Sequence, residues 1–475
     1  MTDDSEYFKS EEFKGILKQY EDSVRSGHPT YMDADDLADI ADYYQFEGRQ
    51  KDATDAINLA LQYNPNAIGP LLYKAREALS FQNFDKAREY AARIESLDGL
   101  EYLYMKCEIL ICEGKVNEAD EIFREHYKGV PPDELIDFVY DVANLFSEYQ
   151  QYDKAFEWIA RSQGDNSDEF KELMARTLFG LGKYKDSERI FNELLDHDPY
   201  SNRYWNSLAN AQFMNEDYSA SVTSSEYAIA IDPNDADSIL SKANGLYRLD
   251  NFEEALKYFE RYNKIVEDDE FGYLHQGTCL INLGRFPEAI SRLEKAEEIS
   301  SADSQYLPEI YQELAFAYSE QKLPETALYY IEKTKDLDCD HADMDVVKGH
   351  ILLANHRIDE AEEVFRNTII NSGNAPRTML RIMVSLYDNR YVKASYHLFK
   401  RFFTYVDQDF NEGYSYMALC CFDLGKYDEF IKYLHIGVNK NPKEAKIVLG
   451  QLFPNGMQVS EYESYFINQL NRKEK

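Results

Sequence analysis

Two short segments of this 475-residue chain place metal-binding side chains close together. Cys339, His341 and Asp343 alternate along one segment, while His275 and Cys279 are four residues apart, about one turn of a helix. A structural zinc site needs a second pair of Cys or His ligands, and neither segment has such a pair nearby in the sequence. We therefore expect no metal site and no cofactor.

The sequence offers little support for catalysis. Gly180, Gly182 and Lys183 are the nearest approach to a phosphate-binding loop, but the glycine that opens that motif and the Ser or Thr after its lysine are absent. No Gly-x-Ser-x-Gly segment occurs. Carboxylates are so numerous that pairs arise by chance. We predict a protein without catalytic residues; the alternative is an enzyme whose site the sequence does not reveal.

The composition is that of a folded, strongly acidic protein. Hydrophobic residues make up 44% of the chain, which is ample for burial, and 87 acidic against 51 basic side chains give a formal net charge of -36. Such a charge repels phosphate backbones and anionic lipid, so we expect neither nucleic acid nor a membrane surface as partner. The acidity either serves solubility or attracts a basic partner.

Two further features bear on cellular location. The segment MTDDSEYFKSEEF lacks the basic start and the apolar run of a secretory signal, and no uncharged apolar stretch is long enough to span a membrane. The six cysteines are scattered, mostly at positions expected in helix cores, which suits free thiols in a reducing compartment. We expect a cytoplasmic protein without membrane insertion.

A repeat of about 34 residues runs along nearly the whole sequence. Each repeat has a small residue near the start of its second predicted helix, at Ala53, Ala87, Ala119, Ala155, Ser187, Ser221, Ala255, Ala289, Ala327, Ala361, Ala394 and Phe430, where Phe430 is the exception. Twelve residues earlier stand Ala41, Ala75, Cys107, Ala143, Ala175, Ala209, Ala243, Gly277, Ala315, Gly349, Ile382 and Ala418, of which only Ile382 is large. Small side chains at both positions allow two helices to cross closely.

Other positions of the repeat also indicate two helices joined by a tight turn. Gly182, Gly284 and Gly425 lie where a helix would end in a left-handed residue, and an aromatic residue follows each of them two positions later. Large residues predicted to fill the space around the crossing are Ile57, Phe123, Ile159, Phe191, Phe259, Leu293, Ile331, Phe365, Leu398 and Leu434. The repeat therefore predicts an all-α protein.

A helical hairpin of this length, small at positions 8 and 20 and aromatic near 17 and 24, resembles the tetratricopeptide repeat. The resemblance covers residues 34–442 as about twelve hairpins and implies a right-handed α-α superhelix, a solenoid. Residues 1–33 are predicted to form an N-terminal helical cap and residues 443–475 C-terminal capping helices, with a bend near 371–376. A pentatricopeptide array has a similar period, but it reads RNA and is normally basic.

The resemblance also implies where a partner binds. In this family the first helices line the concave face, and positions 2, 5, 9, 12 and 13 of those helices contact ligands. In repeats six to eight we predict a peptide-binding face that includes Arg203, Asn206, Asn210, Phe213, Asp237, Asn244, Tyr247, Arg248 and Thr278. Asn210 and Asn244 are in register, and carboxamides can grip an extended backbone. The alternative is that these asparagines are simply polar and exposed.

Two other binding modes would use other residues of the array. The lysines of the carboxylate clamp used by chaperone-binding members are missing: the first repeat has Ala38 and Asp42, and the third has Tyr104 and Glu108. A basic stretch at 375–404, carrying Arg377, Arg381, Arg390, Lys393, Lys400 and Arg401, departs from the general acidity. It could dock an acidic ligand or another part of the array, or simply be surrounded by carboxylates of its neighbours.

These patterns together predict a non-catalytic scaffold or adaptor that holds a protein or peptide on its concave face. The first alternative is an acidic chaperone or regulatory subunit for a basic client protein. The identity of the partner does not follow from the sequence, and self-association stays open.

Overall fold

The structure is a computed structural model that describes residues 7–8, 10–26, 31–95, 99–162, 164–407, 409–454 and 456–473. These residues form α-helices joined by short connections, together with short 3-10 turns, and they contain no strand. The helices fall into two units, residues 1–217 and residues 218–475, each of which packs mainly within itself. The predicted all-α helical-repeat fold is confirmed.

Unit 1 begins with helix α1, Glu11–Ser26, and continues as pairs of helices. The first helices of its repeats are α2 (Ala34–Phe46), α4 (Ile68–Ser80), α6 (Gly99–Cys112), α8 (Leu135–Glu148), α10 (Asp168–Gly180) and α12 (Asn202–Met214). The second helices are α3 (Gln50–Tyr63), α5 (Phe84–Glu95), α7 (Val116–Tyr127), α9 (Tyr152–Ile159) and α11 (Tyr184–His197).

Unit 2 begins with α13, Tyr218–Ile231, which is the second helix of repeat six in the sequence. Its first helices are α14 (Ala236–Arg248), α16 (Glu270–Asn282), α18 (Leu307–Glu320), α20 (His341–Ala354), α22 (Pro376–Asp388) and α24 (Tyr414–Asp423). The later second helices are α15 (Phe252–Asn263), α17 (Phe286–Ile299), α19 (Pro324–Lys333), α21 (Ile358–Asn371), α23 (Val392–Phe402) and α25 (Tyr427–Lys440), and α26 (Pro442–Leu449) and α27 (Tyr462–Lys473) follow. No described helix is both long and apolar enough to cross a membrane.

Close helix crossings explain the small residues of the repeat. All twelve residues predicted at the small position of the first helices, from Ala41 to Ala418, are buried. Two of them are glycines, and they show how near the second helix lies. A Cβ atom added to Gly277 would stand 2.5 Å from the Leu293 side chain, and one added to Gly349 would overlap the ring of Phe365. Leu293 and Phe365 are predicted fillers, so filler and small residue meet directly.

Repeat eleven is the exception, because its predicted phase is wrong by one residue. Ala394 is exposed and Leu398 is 40% exposed, although both were expected at the crossing. Their neighbours Ser395 and Phe399 are fully buried instead. The small position of this repeat is therefore Ser395 and its filler is Phe399.

A hydrogen bond explains why serine takes the small position there. The Ser395 hydroxyl donates to the backbone carbonyl of Met383, twelve residues earlier, at 2.8 Å. In repeat five, Ser187 makes the same bond to the carbonyl of Ala175, also at 2.8 Å. The residue across the crossing is thus Met383 and not Ile382. Sequence alone favours Ala394 over Ser395 at the small position, because alanine has no polar group to satisfy. The carbonyl that pairs with the Ser395 hydroxyl is visible only in the structure.

Each turn between a first and a second helix contains one left-handed residue. Gly182, Gly284 and Gly425 have φ of 72°, 71° and 70°, as their positions in the sequence predicted. The N–H of Arg285, just after Gly284, donates to the carbonyl of Leu280 at 2.8 Å and closes the helix end. In seven repeats the left-handed residue is not glycine: Gln82, Gln150, Glu216, Asp250, Lys322, His356 and Arg390.

The two ends of the chain carry their own apolar packing. Phe13 of α1 is fully buried in a cluster with Leu37 and Ile40 of α2. In unit 2 the rings of Phe430 and Phe466, on α25 and α27, are 4.4 Å apart. Residues 1–6, 9 and 27–30 of the predicted cap lie outside the described residues. The division into cap, array and C-terminal cap stays a prediction.

Candidate functional site

The exposed side of the first helices links one repeat to the next within each unit. In unit 1 the Tyr104 hydroxyl donates to Asp141 at 3.0 Å, from α6 to α8. In unit 2 the Tyr387 hydroxyl donates to Asp423 at 2.6 Å, from α22 to α24. We call this side the first-helix face. It carries the positions predicted to bind a partner.

The predicted residues of repeat six all lie on α12, at the end of unit 1. Arg203 forms an ion pair with Glu172 of α10, a residue that is itself buried. Asn206 donates from Nδ2 to Oδ1 of Asn202 at 3.0 Å. Asn210 is exposed and Phe213 is half-buried. In unit 1 the face therefore presents a paired guanidinium, two carboxamides and an aromatic ring.

A pocket of about 240 Å³ lies beside Asn210 in unit 1. Its lining residues are Ser147, Tyr152, Arg176, Phe179, Phe191, Ser207 and Asn210. A Cβ atom added to Gly180 would overlap the Tyr152 ring, so this wall of the pocket depends on glycine. The sequence did not predict the pocket, because its lining comes from five different helices.

In unit 2 the predicted residues of repeat seven lie on α14. Asp237 and Arg248 are exposed, and Asn244 and Tyr247 are half-buried. The guanidinium carbon of Arg248 stands 4.7 Å from the ring centre of Tyr218, at cation–π distance. These side chains are accessible to a partner on the first-helix face.

Thr278, predicted from repeat eight, is less accessible than the others. It is 6% exposed, and its hydroxyl donates to the carbonyl of His275 on the same helix at 3.1 Å. Its own carbonyl accepts from Nδ2 of Asn282 at 2.8 Å. Little of Thr278 is left for a partner.

A group of half-buried aromatic rings adjoins Tyr247 in unit 2. The His275 ring is 5.8 Å from Tyr247 and stacks on Phe271 at 4.1 Å, and Phe271 meets Tyr306 at 5.5 Å. Burial lowers the pKa of His275 to about 4, so the imidazole is neutral at pH 7. Sequence reasoning placed His275 only in a metal pair and missed this group, whose members come from α14, α16 and the residue that precedes α18.

A carboxyl group on α18 also belongs to this part of the face. Glu313 is half-buried, and burial, aided by the nearby charge of Glu309, raises its pKa to about 7. Glu309 stands one turn earlier on the same helix. Neither residue lies in the three repeats from which the binding face was predicted, so both were missed.

The basic stretch at 375–404 is partly neutralised by carboxylates in unit 2. Arg377 pairs with Glu412 at 3.4 Å, and Lys400 lies 3.8 Å from Glu429. Arg381 pairs with Asp343. The side chains of Arg390, Lys393 and Arg401 are exposed. Both readings of this stretch stay open.

Reactive groups are not gathered elsewhere in the part of the chain that the structure describes. No three His, Cys, Asp or Glu side chains there could jointly hold a metal ion. Cys339 Sγ lies 3.7 Å from His341 Nδ1, without a third ligand. All six cysteines are free, and burial raises the pKa of Cys279 to about 12 and that of Cys420 to about 11. Such thiols stay protonated at neutral pH.

Part of the chain matches known proteins. A family model described as tetratricopeptide repeat matches residues 173–236. Protein STIP1 homolog of Dictyostelium discoideum is 28% identical over 128 residues, which is 27% of this chain and 22% of that relative. The matched segment thus spans less than a quarter of the relative's length.

Two solved structures are similar to this chain at low sequence identity and low TM-score. The structure of yeast Tom70 has a TM-score of 0.43 at 14% identity and covers 92% of this chain and 96% of its own. A tetratricopeptide repeat protein from Parabacteroides merdae has a TM-score of 0.40 at 14% identity, and the match covers 52% of this chain and 96% of that one.

Proposed function

We propose that this chain, whose residues 173–236 match the tetratricopeptide repeat, holds an extended segment of a protein or peptide partner on its first-helix face, without catalysis. The observation that supports this most is the state of Asn244. Its carboxamide is half-buried on α14, beside the ring of Tyr247, and makes no hydrogen bond within the described residues. A carboxamide can give one donor and one acceptor to a peptide backbone while the neighbouring ring contacts a side chain.

Each unit contributes its own stretch of the proposed face. In unit 1 the stretch is α12, with Asn206, Asn210, Phe213 and the pocket beside Asn210. In unit 2 it is the exposed side of α14, α16 and α18. We propose that a segment bound to unit 1 makes backbone contacts to Asn206 and Asn210 and inserts a side chain into the pocket. A segment bound to unit 2 makes backbone contacts to Asn244 and inserts a side chain among the rings. Affinity would then depend on a few anchors.

The cysteines and the net charge bear on the cellular location and on the class of partner. We propose a cytoplasmic protein, since its free cysteines are protonated and mostly buried. We propose a protein or peptide partner and no nucleic acid, because a net charge of -36 opposes binding to phosphate.

Substitution on the face tests the proposal. Asn210→Ala, Asn244→Ala and Tyr247→Ala are combined in the full chain, and proteins captured from source-cell extract are quantified by mass spectrometry. We expect the proteins captured by the wild type to be lost. The matched control combines Asn192→Ala, Tyr227→Ala and Asn367→Ala, which are exposed on second helices, and should capture normally. Capture by the first variant at the wild-type level would exclude this face.

The acidity supports the second candidate, a chaperone or regulatory subunit for a basic client. Charge attraction between exposed groups is screened by salt, whereas amide and aromatic contacts are much less affected. Capture that disappears between about 50 mM and about 500 mM NaCl would favour the basic client. Capture that survives would favour the asparagine and aromatic face.

A further inference from the structure

Glu313 is a carboxyl group that no positive charge in the described protein neutralises. It is half-buried on the exposed side of α18, and among the described residues its side chain makes neither a hydrogen bond nor an ion pair. A carboxylate in such a place loses hydration without gaining a counter-ion. It is therefore poised to accept a cation from outside the chain.

The surroundings of Glu313 favour a cation as well. Burial raises the pKa of Tyr247, and the charges of Glu313 and Glu309 add to that rise, so both carboxyls lie within electrostatic range of the Tyr247 hydroxyl. Tyr247, His275, Phe271 and Tyr306 are half-buried rings, each in contact with the next, at centroid distances of 4.1–5.8 Å. Aromatic faces attract ammonium and guanidinium groups.

The basic side chains on the neighbouring helices already have partners. α18 packs against α16, α17, α19 and α20. The basic residues on those helices are Arg292, paired with Glu260, Lys295 with Glu298, Lys333 with Glu297, and Lys348 with Glu332. The acidic and histidine residues of α18 and its neighbours are Glu270, His275, Glu288, Glu294, Glu297, Glu298, Glu309, Glu320, Glu325, Glu332, His341, Asp343, Asp345 and His350. The charge around Glu313 is therefore predominantly negative.

We propose that the exposed side of α14, α16 and α18 receives a lysine or arginine side chain of the bound segment, with Glu313 as its counter-ion and Tyr247 and Phe271 as its aromatic wall. This inference rests on the proposed function, since the first-helix face must hold a segment for that side chain to enter. It adds the chemistry of the partner: at least one cationic anchor. Charge complementarity and the aromatic wall both select a cation over an acidic or aliphatic side chain.

Cation binding would be linked to a proton. The ammonium or guanidinium group prefers ionised Glu313, whose pKa in the free protein is about 7. Binding therefore releases a proton when it occurs below that pH, and affinity rises as the pH increases from about 6 to about 8. A purely structural role of Glu313 would give no such proton release.

The test uses the full chain and a synthetic probe. An array of random dodecapeptides is screened, and the bound peptides are remade as dye-labelled pairs in which each Lys or Arg is kept or replaced by Gln. Affinities are measured by fluorescence anisotropy. We expect replacement at one position to weaken binding about tenfold, as loss of a close charge pair does. Glu313→Gln should weaken the cationic peptide similarly, leave its Gln version unchanged and abolish the rise with pH.

Glu298→Gln is the matched control, because it removes the same charge from an exposed position on second helix α17. It should bind both peptides as the wild type does. Peptides that bind equally with Gln in place of the cation, or equally to Glu313→Gln, would overturn this inference and leave the proposed function standing. If the wild type holds no peptide, or if peptides ignore Asn244→Ala with Tyr247→Ala, the proposed function fails and this inference falls with it.

Discussion

Glu313 links the stability of the protein to pH. Its pKa is about 7 in the folded protein, against an ordinary value of 4.5. Between these values the folded state keeps a proton that the unfolded chain has released, so stability falls as the pH rises through this range. We expect Glu313→Gln to match the wild type near pH 4 and to be more stable by about 1–3 kcal/mol at pH 8, measured by urea unfolding. Equal stabilities at pH 8 would show that the carboxyl is well solvated.

His275 has the opposite dependence on pH. Burial lowers its pKa to about 4 from an ordinary 6.5, so the unfolded chain binds a proton that the folded protein does not. The part of the free energy of unfolding that depends on neutral His275 is complete above about pH 6.5, and it is lost as the pH falls towards 4. We expect His275→Gln, which cannot titrate, to reduce the loss of stability between pH 6.5 and 4 by about 1–3 kcal/mol. An unchanged slope in urea unfolding would contradict the burial of this imidazole.

Adding one methyl group at Gly349 tests how closely the two helices cross. A Cβ there would overlap the Phe365 ring, so we expect Gly349→Ala to lower the free energy of unfolding by about 1–3 kcal/mol. The matched control is Gly15→Ala, also within a helix but with no atom within 4 Å of the added Cβ. It should be neutral or stabilising by about 0.5–1 kcal/mol, because alanine favours helix. Urea unfolding of both variants measures the difference.

At the scale of helices and turns, seven of the turns that join a first helix to a second helix have a left-handed residue other than glycine, although glycine favours this conformation. Arg390, with φ of 69°, is one of these residues, and Gly284, with φ of 71°, shows the favoured choice. We expect Arg390→Gly to raise the melting temperature and Gly284→Ala to lower it, each by the equivalent of about 1 kcal/mol. Calorimetry of the two variants decides the matter. A destabilised Arg390→Gly would mean that the arginine side chain contributes more than its backbone costs.

The hairpins were predictable from the sequence because a crossing of two helices restricts side-chain size so strongly. Gly277 against Leu293 is such a pair, and its spacing can be counted in the sequence. The prediction for repeat eleven is wrong by one residue because a buried serine at a crossing needs a hydrogen-bond partner for its hydroxyl. For Ser395 that partner is a backbone carbonyl. Residue types alone do not show which carbonyls a fold exposes at a crossing.

Across the whole molecule the strong negative charge opposes the compact state. A chain with a net charge of -36 repels itself, and added salt screens that repulsion. We expect the urea midpoint of unfolding to rise when NaCl increases from about 20 mM to about 200 mM. A falling midpoint would show that surface ion pairs such as Arg357–Glu360 outweigh the repulsion.

The binding face was less predictable than the fold. The ligand-contacting positions of the family led to residues of α12 and α14 and to Thr278 of α16. Of these residues, Asn210 is exposed, and Asn244 and Tyr247 are half-buried. The family positions missed the pocket beside Asn210 and the contacts of Tyr247 with His275 and of Phe271 with Tyr306, because both depend on which side chains of different elements meet. Distances between helices decide such meetings, and the sequence period does not give them.

Site-specific photocross-linking in the source cell shows directly whether the first-helix face holds the partner. A photoreactive phenylalanine analogue replaces Asn244 on α14 or, as control, Lys257, which is 63% exposed on second helix α15. We expect cross-links to a protein partner from position 244 and none from position 257. Cross-links from position 257 alone, or from neither position, would contradict binding on this face.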